Sequence, residues 1–251
     1  KQVILGIMEE LVQELVRRGQ SPGHVPDTKQ FTSTITPFDA EGLKLLLDEK
    51  LAEAGCTVLF HTFVGAVQTE QGRINGLTVC NKDGLNTLSA KVYIDATGDG
   101  DVAAWAGAPM TKGRPEDGAA QPMTMTVKYC GVDTEKLKGY VIANPERFPK
   151  LSPHMEIFRQ PVPVDLEGFD DEFSGAKAAG ELSIRRENVL MFATGRPGEY
   201  IMNTTRIVDH DATDAASLSE AEQIGRRQCA ELDRFLRARV PGFEHAMLEF
   251  T

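Results

Sequence analysis

The chain has 251 residues, 41% hydrophobic and 25% charged, the make-up of a globular protein with one large domain or two smaller ones. Its formal net charge is -10 and no run of Lys or Arg exceeds two residues, which argues against nucleic acid and against an acidic membrane surface as partners. The four cysteines, Cys56, Cys80, Cys130 and Cys229, form no CxxC, so a zinc ribbon, a redox dithiol and a disulfide-stapled domain are all disfavoured.

No apolar run approaches the length of a membrane span and no secretory leader is visible, so the sequence points to the cytoplasm. It begins without Met, directly in a helical pattern, as a piece of a longer protein would. Ile4, Ile7, Met8, Leu11, Leu15 and Val16 recur at helical spacing, and Gly19 with the Ser21-Pro22-Gly23 turn ends that helix. A second helix is predicted from its cap Asp39, with Leu43, Leu46, Leu47 and Leu51 as the apolar face and Gly55 as the left-handed residue beyond its end. Residues 57–60 read as a short apolar strand. A three-stranded meander follows over 63–68, 73–79 and 85–89, turning at Gln71-Gly72 and Asp83-Gly84. Residues 91–95 read as one more strand, which runs into a glycine turn.

Beyond Pro109 the texture changes to a polar Gly/Pro loop at 112–118, then to a half-buried strand over 123–129. Five prolines between 145 and 163 argue against a long regular element there. A hairpin is predicted from 188–194 and 200–208 around Gly195-Arg196-Pro197-Gly198. Ser219 and Glu222 form a capping box for a long helix to Val240, stopped by Pro241-Gly242.

The stretch Gly98-Asp99-Gly100-Asp101-Val102-Ala103 has the spacing G-x-G-x-x-[GA] between a predicted strand and a helix, the setting of a dinucleotide-binding fingerprint. Its chemistry argues against a pyrophosphate cradle, because Asp99 and Asp101 put like charge where phosphate would sit. The ribose-binding acid expected about 20 residues on would fall in the 114–118 loop. A carboxylate at this turn suits capping the helix, or accepting hydrogen bonds from hydroxyls such as those of a ribose or ribityl chain. An acid-capped turn in a core of small residues fits the pattern equally well. A calcium loop of Asp95, Asp99 and Asp101 fits less well, since the downstream Glu of an EF-hand is missing.

Several linked segments carry a more specific signal: Phe38-Asp39-Ala40-Glu41, Leu47-Asp48, Glu53-Ala54-Gly55, and Ala90-Lys91 followed by Ile94-Asp95-Ala96-Thr97-Gly98-Asp99-Gly100-Asp101. Gly113-Arg114, Glu116-Asp117-Gly118, Gln121-Pro122, Asn203-Thr204-Thr205-Arg206 and Val240-Pro241-Gly242-Phe243-Glu244 continue it. In this order they resemble the FAD-dependent oxidoreductase family of the glutathione-reductase-like flavoproteins, over most of the chain. The resemblance implies an α/β fold with mixed α+β content. Residues 1–110 would be a partial Rossmann-like FAD-binding domain with the meander, and 111–251 a mixed substrate or cap domain. It implies FAD as cofactor, a hydride passed between a small organic substrate and the flavin, and cofactor contacts from Val64, Ala96, Thr97 and Gly98, with Asp99 touching it only indirectly. The family's first GxGxxG and its C-terminal flavin segment would lie outside this sequence. Those missing parts of its own chain are then partners, and the piece alone is expected to be inactive and without flavin.

For the substrate, the anion-holding groups on offer are Arg206 with Asn203, Arg196, and Arg185-Arg186. Arg206 alternates with Thr205 and Ile207, as a residue on a solvated strand face would. His154 lies in the proline-rich stretch, and His210 stands between Asp209 and Asp211. Arg206, Asn203 and His154 are the weak catalytic candidates. No His-x-His or His-x-x-x-His occurs, so no metal site is expected, and no G-x-S-x-G suggests a hydrolase. The charges of the last helix read mainly as a salt-bridged face. A homo-oligomer is compatible with all of this. The alternative from another class is a non-enzymatic or regulatory α/β domain that binds a nucleotide or a protein partner.

Overall fold

The spacing of apolar residues near the N-terminus gives a helix because every third or fourth side chain lands on one stripe. In the computed structural model, which describes residues 5–29 and 31–251, that helix is α1 (Ile7–Arg17), with Leu15 buried. Ile4, the first residue of the predicted stripe, lies outside the described residues. Gly19 closes the helix at φ 70°. Two short strands follow, β1 (Val25–Pro26) and β2 (Thr34–Ile35), paired antiparallel. Asp39 then caps α2 (Ala40–Glu53), its Oδ1 accepting from the amides of Glu41 at 3.0 Å and Gly42 at 3.4 Å. Gly55 takes the left-handed conformation expected past its end.

The meander forms as predicted: β3 (Phe63–Glu70), β4 (Arg73–Asn81) and β5 (Gly84–Leu88), in that order. Gln71 and Gly72 both have positive φ, as a two-residue hairpin turn between right-twisted strands demands. Residues 57–60 and 91–95 are not strands, which corrects the sequence reading. Both runs lack regular secondary structure, and among the described residues neither has a ladder partner, so β-propensity has no neighbour to act on. Val58, Leu59, Phe60, Val92 and Ile94 are exposed. A short helix, α3 (Asp101–Trp105), packs on β3.

The remaining elements are β6 (Val127–Cys130), α4 (Thr134–Ala143), a 3-10 turn Pro145–Arg147, a 3-10 helix Pro149–Arg159, β7 (Leu166–Gly168) and α5 (Asp170–Ala178). They are followed by β8 (Val189–Ala193), β9 (Tyr200–Met202), α6 (Ala215–Arg239) and β10 (Met247–Phe250). The proline-rich stretch is more regular than its sequence suggested. An i→i+3 helix accommodates Pro153, and buried Lys138 of α4 pins the stretch's end by donating from Nζ to Gln160 O at 2.8 Å and Val162 O at 2.9 Å. Helix α6 starts four residues before the predicted box. Its cap is Asp214, which accepts from Ser217 N, and Ser219 instead donates to Ala215 O.

By contact density the chain divides into two units, Lys1–Glu49 with Gln121–Thr251, and Lys50–Ala120. The change of texture noted after Pro109 falls in the loop that returns the chain to the first unit at Gln121. That unit holds a five-stranded antiparallel sheet, ordered β10-β6-β9-β8-β7. Strand alternation sends Val127, Tyr129, Val189, Met191, Tyr200 and Met202 to one face, where they share a core with Leu232, Phe235 and Leu236 of α6 and Phe173 of α5. In the second unit the buried apolar side chains are Val79 and Val102.

Candidate functional site

The glycine turn of the second unit is organised around one carboxylate. Asp95 Oδ1 accepts from Thr97 N at 3.0 Å and Thr97 Oγ1 at 2.7 Å, and its Oδ2 accepts from Ala103 N at 2.8 Å. Thr97 Oγ1 in turn accepts from Asp101 N at 2.8 Å. The Thr97 hydroxyl, then the amides of Ala103 and Thr97, hold Asp95 below the usual carboxylate range. The carboxylate that serves α3 is therefore Asp95, reaching across eight residues of sequence, while Gly100 at the cap position has no side chain to offer and Asp99 makes no cap bond. Gly98 has φ +91° and open space where a Cβ would stand. Ala96, Thr97, Gly98 and Asp99 are exposed, and Val64 is half-buried on β3, the strand that α3 packs against.

In the first unit, the sheet face opposite the core forms the floor of a cleft of about 660 Å³. Pairing sets Phe250 of β10 opposite Lys128 of β6, Lys128 opposite Ile201 of β9, and Ile201 opposite Phe192 of β8. These residues make one row across four strands, all lining the cleft. Ile35, Pro37, Phe38 and Pro163 add apolar wall. Cleft volumes of this size suit small organic molecules.

Every charge on the wall has a partner. Lys128 Nζ sits 2.8 Å from Glu199 Oε2 and 3.0 Å from Glu249 Oε2, and over the Phe250 ring at 5.2 Å. Burial pulls the Lys128 ammonium down, but the two carboxylates outweigh it and leave it raised. Arg196 Nη2 meets Asp39 Oδ2 at 2.8 Å, tying the β8–β9 turn to the start of α2. Asp165 is buried, with Oδ2 at 2.6 Å from Lys29 Nζ and Oδ1 accepting from Ala193 N at 3.0 Å. Lys29 also holds Asp27 Oδ1 at 3.0 Å and lies 4.5 Å from the centre of the Phe192 ring. Burial raises Asp165 against the pull of Lys29. For Asp27, the amides of Lys29 and Thr32 and the Lys29 ammonium outweigh burial, and it is lowered.

The sequence-derived catalytic candidates do not line this cleft. Asn203 and Arg206 follow β9 on the far side of Met202, and His154 belongs to the 3-10 helix packed on α4 and β7. Of the predicted anion-holding groups Arg196 does line it, engaged with Asp39. Lys128, Phe192, Ile201 and Phe250 were missed. The available signal was Tyr200-Ile201-Met202, apolar at all three positions where a strand with one solvated face would alternate. No group of three or more His, Cys, Asp or Glu among the described residues is arranged to hold a metal, and none of the described helices is long and apolar enough to cross a membrane.

The family model described as FAD dependent oxidoreductase matches residues 1–251. The chain belongs to that family. No curated protein and no solved structure matches it. The turn can be tested against the cofactor of FAD dependent oxidoreductases on its own geometry. Asp95 already takes the Ala103 amide at the start of α3 and brings negative charge to that helix end, so this turn does not cradle a pyrophosphate. The exposed backbone from Ala96 to Asp99, open at Gly98, does fit close approach by the uncharged adenosine part of a dinucleotide.

Proposed function

We propose that this FAD dependent oxidoreductase contributes the adenosine-side turn of an FAD site, from Ala96, Thr97, Gly98 and Asp99 with Val64 on the neighbouring strand. We propose further that the sheet-floored cleft holds a small organic substrate. FAD, when bound, supplies the centre that accepts or donates a hydride. Asp95 fixes the turn by locking Thr97 and the start of α3. The substrate is gripped by apolar surface, because Lys128, Arg196, Asp165 and Glu199 are all engaged with one another's kind.

The observation that supports this reading best is the Asp95-built turn, open at Gly98, in a chain of this family. Gly98→Val tests it. A β-branched residue is strained at φ +91° and fills the approach, so flavin absorbance per protein should fall well below wild type. Equal retention would remove the turn from the cofactor site. Since this turn offers no phosphate cradle, the 251-residue chain alone is expected to carry little flavin, and stoichiometric yellow colour would contradict that.

A further inference from the structure

One polar side chain on the cleft wall differs from the rest. Ser21 Oγ donates to Pro37 O at 2.6 Å, and Thr36 Oγ1 lies 2.7 Å from His24 Nδ1. Glu41 accepts from Lys44 at 2.7 Å, and Thr194 Oγ1 donates to Glu199 Oε1 at 2.9 Å. With the charges of the wall paired as well, Gln20 is, among the described residues, the polar side chain of the cleft lining that is left without a partner. Its Oε1 is buried and receives no hydrogen bond. A buried acceptor in that state has lost its hydration without a replacement, and a donor brought by a ligand restores it.

Gln20 is also firmly placed. Its N donates to Leu15 O at 2.8 Å and its O accepts from Asp39 N at 2.8 Å, which pins the peptide between the end of α1 and the start of α2. The carboxamide lies on buried Gly42 of α2. A Cβ at Gly42 would stand 2.4 Å from Gln20 Cδ, 2.5 Å from Nε2 and 2.6 Å from Oε1, so the seat exists only because residue 42 has no side chain.

The geometry points to Gln20 as the residue that selects the ligand of the cleft, by hydrogen bonds to an uncharged carboxamide or lactam group on an otherwise apolar molecule. This rests on the reading of the cleft as a small-molecule site. A carboxamide offers an acceptor and donors side by side, and its complement offers the same pair reversed. The apolar row of the floor takes the body of such a molecule, while Lys128 and Arg196, already paired, leave neither cation free for a carboxylate.

Benzamide, acetophenone and benzoate share one shape and differ at this group, and each can be titrated into the protein by calorimetry. Benzamide should bind saturably, and the other two, which cannot donate to Oε1, about tenfold or more weakly. Gln20→Met keeps the length of the side chain, removes the unmet acceptor and should fold normally. It should lower benzamide to the affinity of acetophenone and leave acetophenone as in wild type. Gly42→Ala suits a helix but puts a methyl group in the seat of the carboxamide, so it should act in the same way. Equal affinity for benzamide and acetophenone in wild type, or an undiminished preference in either variant, overturns the role of Gln20 and leaves the cleft reading standing. If none of the three probes binds, or if Ile201→Arg leaves binding untouched, the cleft reading itself fails and this inference falls with it.

Discussion

The glycine turn and the cleft floor are built in opposite ways. In the turn, Asp95 reaches Thr97 and Ala103, and Thr97 reaches Asp101, all within a few residues of sequence. In the cleft, the row Phe250, Lys128, Ile201 and Phe192 is assembled from four strands spread over more than a hundred residues. The turn is set by local hydrogen bonds above a thin core. The floor is set by the register of a sheet whose other face packs on the main core. Local chemistry can thus be perturbed one residue at a time, while the cleft responds to anything that moves the sheet.

The largest expected effect is at Lys29, whose ammonium pairs with two buried carboxylates. Lys29→Met should destabilise the first unit by about 3–5 kcal/mol in chemical denaturation, since Asp27 and Asp165 would remain buried without a counter-charge. A loss no larger than that of a surface substitution would show the triad to be dispensable. Next come the two sides of one strand. Tyr200→Ala empties a core position and should cost about 3–5 kcal/mol, whereas Ile201→Ala should cost about 1 kcal/mol and act mainly by raising KM. Equal stability losses would deny that the strand divides core from cleft.

A subtler difference lies in pH dependence. Asp27 is lowered on folding, so its contribution is complete above its unfolded-state pKa and is lost as pH falls through the folded one. Asp165 is raised, so its contribution is complete below its unfolded-state pKa and is lost as pH rises through the folded one. The two oppose each other in the acid range. Asp165→Asn should therefore make stability climb more steeply with pH than in wild type, and an unchanged or shallower slope would break the argument. The smallest and most local effect belongs to Asp95→Ala, which should speed hydrogen exchange at the Thr97 and Ala103 amides and leave β8 and β9 untouched.

What the sequence disclosed follows the same division. The Asp39 cap, the Gly55 stop and the Gln71-Gly72 turn are decided by a few adjacent residues, and each formed as read. Residues 57–60 and 91–95 have strand-forming side chains, but a strand exists only in a partner's company, and propensity carries no information about partners. Helix α4 was overlooked although Asp133 stands ready as its cap and accepts from Lys136 N at 2.9 Å. Helix α5 was overlooked too, despite three acids in its first turn and Gly180 beyond its end. The cleft row was beyond reach, because Lys128 meets Ile201 and Phe250 only through sheet order. Asp95 was visible as a charge, but its reach to Ala103 depends on how tightly the turn closes.

The bulge in β10 carries one more consequence. Pairing runs from Leu248 opposite Tyr129 directly to Phe250 opposite Lys128, so Glu249 is the extra residue and its carboxylate still reaches the same ammonium. Together with Glu199 it masks the one cation in an otherwise apolar row. Neither acid is part of the core, so both can be exchanged without disturbing the fold. Glu199→Gln with Glu249→Gln would unmask Lys128 in the middle of the floor, and under the proposed substrate reading the cleft would then prefer acids to neutral molecules. Under the substrate reading proposed above, the charge this cleft accepts is set by side chains outside the core, separately from the sheet that carries them.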